Sequence, residues 1–363
     1  MHNTTTNKFR HSRESGSPGV ISPVVGWIPA FAGMTVFLGQ RHFRLFGKIL
    51  RRFAIVTLLL TVLAPAAAQD FPSKPITILC WSEAGSPVDF YARIMAKLLT
   101  RELGQNVVVE NRTGADGIIA VNQLLRQPAD GHTLLANTIS LAALASEPTA
   151  SFKPDDLQMI ARSQLDPYGL VVPASIRFKT IHQLLKYAHA NPGQITVGGV
   201  FEMSAHRVAW EVFAEKARIK AVWVPFKGGG PALLAVAGGH VDIAATNPGN
   251  VKPFVTSGKV RVLAISAERR LADFPDVPTY KERGWNVVRY QWRGIMGRAG
   301  LPKPVLDRLV AAIQKAQQTA EWKAYLEQVT QLDGFMGPEG FRAQLIKDIQ
   351  ELESVKKKLG IER

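Results

Sequence analysis

The chain has 363 residues, 46% of them apolar, which supplies core material for two α/β domains of ordinary size. Its 44 Lys and Arg outnumber 29 Asp and Glu, but the excess is spread along the chain and never forms a cationic run interleaved with aromatics, so a nucleic-acid groove is excluded. Cys80 is the single cysteine, which excludes an intramolecular disulfide.

Residues 1–33 are rich in Ser, Gly and Pro and hold no sustained period of two or 3.6, so they read as a non-structural extension. The stretch Trp27 to Thr35 resembles translated intergenic repeat DNA, and Met34 is the expected initiator. From Met34 a basic region with Arg41, Arg44, Lys48, Arg51 and Arg52 precedes the apolar run Phe53 to Leu63. At about 11 residues that run is too short to span about 30 Å of hydrocarbon as a helix. Ala66-Ala67-Ala68 then offers a small-residue cleavage site, so residues 34–68 are expected to be a signal peptide and the product periplasmic. Removal of residues 1–68 takes eight of the 44 cations and one of the 29 acids, leaving a net charge of about +8, which reads as solvated surface with mild anion steering.

In the mature chain, apolar runs predict strands at Ile76–Cys80, Val107–Glu110, Thr133–Ala136, Gly169–Val172, Ile195–Gly198, Ala221–Pro225, Val241–Ala245 and Val260–Ser266. Cys80, inside the first of these, reads as a core thiol. Helix-period segments separate the strands, the pattern of a mostly parallel sheet covered by helices. In the first of them Tyr91, Ile94, Met95, Leu98 and Leu99 form one apolar stripe, with Ser86 as cap and Pro87 in the first turn. Thr180 begins another, which Asn191-Pro192-Gly193 stops, and a pair of amphipathic helices is expected at 304–318 and 338–358. Domain 1 is expected to comprise residues 69–170 and 293–363, and domain 2 residues 171–292.

Ligands of open α/β sheets sit beyond the carboxyl ends of the strands. Four strand-to-helix loops here are rich in Gly, Ser, Thr or Asn: 82–86, 137–140, 198–204 and 227–231. In the last, three glycines allow close backbone approach and Pro231 opens a helix whose positive end suits an anion. It is not a nucleotide loop, because Lys227 precedes the glycines and no Gly-Lys-Ser/Thr follows. The histidines, including His206 and His240, show no metal-ligand spacing, and no metal or cofactor is expected.

Ordered motifs carry a further resemblance: Phe71-Pro72-Ser73-Lys74-Pro75-Ile76, Val107-Val108-Val109-Glu110-Asn111-Arg112 with Gly114 and Gly117, Ala129-Asp130-Gly131-His132-Thr133-Leu134, Val224-Pro225-Phe226-Lys227-Gly228, Pro275-Asp276-Val277-Pro278-Thr279, and Trp292 with Gly294. With these the mature chain resembles the Bug-type receptors of tripartite tricarboxylate transporters over nearly its full length. The resemblance implies a periplasmic-binding-protein fold, type II-like, of two α/β domains joined by crossover strands near Leu170 to Val172 and Gln291 to Gly294. It also implies that backbone amides and hydroxyls of the strand-to-helix loops hold a carboxylate. In domain 1 the implied contacts are Trp81, Ser82, Glu83, Gly85 and Ser86, braced by Asp89, then Asn137, Thr138 and Ser140. In domain 2 they are Gly199, Ser204, His206, Lys227, Gly228, Gly229 and Asn247; from the residues themselves, Phe201 adds aromatic surface at the mouth, and Arg293 beside Trp292 is a cation suited to neutralise a Glu or bind a second carboxylate. Implied partners are a small organic solute and the membrane permease subunits of such a transporter, and a monomer is expected.

Two loops depart from the family pattern, Trp81-Ser82-Glu83-Ala84-Gly85 and Val200-Phe201-Glu202-Met203, and bring the acids Glu83 and Glu202 with them. They are expected to flank the mouth and to disfavour a second carboxylate on the ligand. An exported hydrolase is excluded for want of a Gly-x-Ser-x-Gly elbow or a His-Glu-x-x-His stretch in the mature chain. A periplasmic sensor with the same fold is the alternative to a transport receptor. The mature N-terminus is expected at or near Gln69; intact mass spectrometry of periplasmic protein checks it, and a product retaining residues before Met34 overturns the start-site reading.

Overall fold

The computed structural model describes residues 71–147 and 149–361, so the extension, signal peptide and cleavage position expected above lie outside the described residues. The chain opens with β1 (Ile76–Cys80), α1 (Pro87–Leu103), β2 (Val107–Asn111), α2 (Ile118–Leu125), β3 (Thr133–Thr138), α3 (Ser140–Ala145) and β4 (Leu157–Pro167). It passes into a second lobe of β5 (Gly169–Pro173), α4 (Ile181–Ala190), β6 (Ile195–Val200), α5 (Ala205–Ala217), β7 (Ala221–Phe226), α6 (Gly229–Ala237), β8 (Ile243–Thr246), α7 (Pro248–Thr256) and β9 (Val260–Ile265). It returns through β10 (Tyr290–Arg298), α8 (Lys303–Gln318), α9 (Ala320–Gln328), β11 (Leu332–Met336) and α10 (Pro338–Leu359).

Two sheets result, a six-stranded one in the order β11-β4-β10-β3-β1-β2 and a five-stranded one in the order β7-β6-β8-β5-β9. β1 lies between two parallel neighbours with Ile76, Ile78, Leu79 and Cys80 fully buried, as a central strand covered on both faces requires. Burial pushes the Cys80 thiol pKa up, which keeps it an inert core group. α1 starts where its caps dictate: the Ser86 hydroxyl accepts from the Asp89 amide, Pro87 fills the first turn, and Gly104 at φ 70° closes the end. Thr180 caps α4 in the same way through the Gln183 amide.

Three strands were not legible as such. β4 carries buried Ser163, Gln164 and Asp166 among its apolar residues, β10 carries buried Arg293, and β11 is short and half-buried, so none shows a clean period of two. α9 escaped because Thr319 ends α8 and caps α9 at once, with no Gly or Pro between them.

The sheets exchange the chain twice, and both exchanges differ from their expected positions. β4 pairs with β10 in the first sheet up to Pro167, and β5 pairs in the second from Gly169, so only Tyr168 separates them. Leu170 to Val172 therefore lies wholly in the second sheet. On the return, β9 ends at Ile265 and β10 starts at Tyr290, placing Gln291 to Gly294 wholly in the first. The two crossings are tied to each other: the Tyr168 amide donates to Ser266 Oγ (2.8 Å), the Ser266 amide donates to the Tyr168 carbonyl (2.8 Å), and the Arg289 amide donates to the Ser266 carbonyl (2.9 Å).

Beyond the crossings, contacts between the lobes include two regions. Val208 of α5 packs with Leu352 and Val355 of α10, with Lys358 pairing Glu215 at 3.0 Å. Elsewhere Thr330 Oγ1 donates to Asp273 Oδ2 (2.5 Å), and Gly249 at the start of α7 lies so near the Val329 carbonyl oxygen that a Cβ there would be 2.6 Å from it. A backbone oxygen cannot swing aside as a side chain can. Gly249→Ala is therefore expected to part the lobes at this contact rather than unfold either one, read as a larger radius of gyration in small-angle scattering with an unchanged circular dichroism spectrum.

Candidate ligand-binding site

Strand register brings the carboxyl ends of both sheets to the crossings. Thr138 at the end of β3 stands opposite Arg293, which stands opposite Gln164, while Pro167 stands opposite Tyr290. One residue further on, Gly169 stands opposite both Thr246 at the end of β8 and Ile265 at the end of β9. The loops singled out in the sequence leave the sheets at this level.

The first loop is rigid and much of its hydrogen bonding is already committed. Asp89 accepts from the Gly85 amide (2.9 Å), from Asn111 Nδ2 (2.8 Å) and from Arg93 Nε (2.9 Å). Burial works against the charged form, but these three donors hold the Asp89 carboxyl below its usual range. Asn111 Nδ2 also reaches the Ser82 carbonyl (2.9 Å), and the Ser86 amide donates to the Glu83 carbonyl (3.1 Å). The Gly85 and Ser86 amides are therefore spent within the protein. In the same loop Trp81 Nε1 is a sealed donor without a partner among the described residues.

Asn137, Thr138 and Ser140 interlock similarly. Asn137 Oδ1 accepts from the Thr138 amide (2.7 Å), Thr138 Oγ1 donates to Ser140 Oγ (2.9 Å) and accepts from the Ser140 amide (3.2 Å). Asn137 is 1% exposed and its Nδ2 is left unpartnered.

In the second lobe Ser204 caps α5, accepting from the Arg207 amide and donating to the Val200 carbonyl (2.5 Å). Gly199 has a packing role, since the Trp223 ring fills the space its Cβ would take. Phe201 stands exposed at φ 47°, pinned by its amide to the Phe226 carbonyl (2.8 Å) and by Trp223 Nε1 to its own carbonyl (2.9 Å). Glu83 is exposed, and Glu202 is 56% exposed and faces Arg207 at 3.9 Å. Both acids are exposed to water, which screens their charge. Arg293 is not an open cation: it is 3% exposed and committed to Asp166 (3.6 Å) and Gln331 Oε1 (2.8 Å).

The most open set of donors lies where α6 and α7 begin. Gly228 and Asn247 precede these helices, and neither provides a side-chain cap. The starts adjoin: a Cβ on Gly229 would lie 3.4 Å from Thr246 Oγ1 and 3.8 Å from Asn250 Nδ2. Thr246 is fully buried, with its hydroxyl unpartnered among the described residues. Two helix starts without side-chain caps thus adjoin a spare hydroxyl, although the Asn250 amide is already bonded to the Asn247 carbonyl (3.1 Å). Lys227 is exposed beside it. Asn247 does not cap because its side chain is used elsewhere, donating to the Pro167 carbonyl (3.0 Å) and meeting His206 Nε2 (2.8 Å). Desolvation holds His206 below its usual pKa, partly offset by Asn247, so the imidazole is neutral at pH 7.

Sequence reasoning missed Thr246, Asn250, Tyr168 and Asp166. Thr246-Asn247-Pro248, a strand end running into a proline-led helix, was a legible signal for the first two. Nothing local marks Tyr168 or Asp166, whose importance comes from burial at the crossings. Among the described residues no group of His, Cys, Asp or Glu could hold a metal, and no helix is long and apolar enough to cross a membrane.

The profile of the tripartite tricarboxylate transporter family receptor matches residues 91–361. The chain belongs to this receptor family. It is similar to BugT of Bordetella pertussis, 30% identical over 264 residues that span 71% of this chain and 81% of that protein. A TctC solute-binding protein from Polaromonas, solved without ligand, is 26% identical with a TM-score of 0.72 over 79% of this chain and 99% of its own. MatC from Rhodopseudomonas palustris, solved with bound malate, is 26% identical with a TM-score of 0.62 over 78% of this chain and 99% of its own. The receptor therefore has the two-domain periplasmic-binding-protein fold, and its family consists of solute-binding receptors rather than enzymes.

Asp166 sits next to the first crossing with burial outweighing the attraction of Arg293, so its pKa is pushed up to about 6. A carboxyl raised in the folded state stabilises the fold fully at pH values below its unfolded pKa near 4, and that contribution is lost as pH rises through about 6, a span worth about 3 kcal/mol. His206, lowered in the folded state, contributes with the opposite sign, so the comparison must be differential. The melting temperature of Asp166→Asn is expected to gain on that of wild type between pH 4.5 and 7; parallel curves contradict the assignment.

Proposed function

We propose that this receptor captures a small carboxylate-bearing organic solute between its lobes in the periplasm and delivers it to the permease of a tripartite tricarboxylate transporter. The observation that carries the reading is the pair of uncapped helix starts at Gly228 and Asn247, meeting around the unpartnered Thr246 hydroxyl. The malate held by the similar MatC supports a carboxylate as the ligand's anionic group. Asn137 Nδ2 and Trp81 Nε1 are the donors that the first lobe keeps in reserve for the same ligand. On this reading residues 71–167 and 290–361 form one domain and residues 169–289 the other. The receptor works as a monomer, and solute that touches both domains favours the closed form because only that form makes both sets of contacts.

Thermal unfolding against a panel of mono-, di- and aromatic carboxylates tests the capture step. A true ligand at 100 times its dissociation constant adds about 2.7 kcal/mol and raises the melting temperature by several degrees. Thr246→Val keeps the shape, removes the hydroxyl, and is expected to weaken that ligand about tenfold. A panel without any shift counts against the receptor reading, and unimpaired uptake of the identified ligand in a deletion strain counts against delivery.

A further inference from the structure

We infer that His206 selects for a hydrogen-bond donor on the ligand, a hydroxyl or amine near its carboxylate, through a ring nitrogen whose tautomer is fixed by the first crossing. The inference rests on the carboxylate-receptor reading and adds one functional group to it. The chain of constraints starts at the Pro167 carbonyl, which can only accept. Asn247 Nδ2 donates to it at 3.0 Å, and this fixes which end of the Asn247 amide is oxygen. Asn247 Oδ1 is then the atom 2.8 Å from His206 Nε2, and an amide oxygen can only accept, so Nε2 carries the proton.

The imidazole stays neutral for two reasons. Desolvation disfavours the charged form, and His206 lies in the first turn of α5, where the positive helix end opposes a second positive charge. With Nε2 protonated and the ring neutral, Nδ1 presents a lone pair. Nδ1 has no hydrogen-bond partner among the described residues, and it is not one of the sealed polar atoms, so it stays open to a ligand. Tyr168 lies edge-on to the ring at 5.1 Å between centroids, which limits its rotation.

A lone pair held in this way accepts and cannot donate. It repels a carboxylate oxygen and favours an O–H or N–H, so the anion goes to the α6 and α7 helix starts and the donor group to His206. Because the ring is only half-buried, water can solvate Nδ1 when the ligand lacks a donor, which limits the discrimination to about tenfold. The contact also links ligand chemistry to the crossing strand through Asn247, which touches both His206 and Pro167.

Two measurements test this. Long-range proton–nitrogen NMR of the ligand-free receptor at pH 7.5, with His206 assigned by its loss in His206→Phe, is expected to show a neutral ring protonated at Nε2; protonation at Nδ1, or an imidazolium, overturns the inference. Calorimetry with acids differing by one hydroxyl or amine, namely succinate against malate and aspartate, and propionate against lactate and alanine, is expected to show a preference of about tenfold for a donor-bearing member. In His206→Phe that preference should vanish, whatever affinity is left for the plain acid. Carboxylate binding without the preference, or with a preference that survives His206→Phe, overturns the role of His206 and leaves the receptor reading standing. If no carboxylate binds, both fail, and the NMR result still judges the tautomer on wild-type protein alone.

Discussion

Ser266 holds together the two strands on which the rest of the molecule hangs. Each sheet is complete without the other, and only Tyr168 on one crossing and the segment after Ile265 on the other connect them. Through its amide, its carbonyl and its hydroxyl Ser266 bonds both Tyr168 and Arg289, so a change of angle in one crossing is transmitted to the other. Two independent linkers would let the lobes twist as well as open. A bonded pair couples the two crossings, the arrangement that hinge closure as proposed above would use.

The two half-sites are built on different principles. In the first lobe the Gly85 and Ser86 amides are consumed internally, and so are donors of the interlocked Asn137, Thr138 and Ser140 on the next loop. The result is a stiff wall with a few sealed donors left over, Trp81 Nε1 and Asn137 Nδ2 among them. In the second lobe α6 and α7 begin without side-chain caps, and Pro231 and Pro248 remove amides that would otherwise need partners. An uncapped helix end is cheap to keep so long as water or ligand reaches it.

Charge is buried at the crossing rather than at the mouth. Asp166 and Arg293 are almost fully enclosed, with Gln331 bonded to both, and burial makes the carboxylate reluctant to ionise. Glu83 and Glu202, the acids that looked most relevant to the ligand, stand in solvent instead. Position relative to water, and not proximity in sequence to a loop, decides which charges matter.

The sequence by itself determined the local features whose causes lie within a few residues. The Ser86 and Thr180 caps, the central strands with their continuous apolar runs, and the alternation of strand and helix all follow from such short-range rules. So does the Gly-rich turn before α6. The tertiary structure alone decided which loop amides were spent, that Arg293 lies buried against Asp166 and Gln331, and that β4 is a strand despite its polar residues. It also decided the tautomer of His206, because the partners that fix it are 41 and 80 residues apart along the chain. A donor's partner at that separation depends on sheet register and lobe packing, to which no local sequence pattern is sensitive.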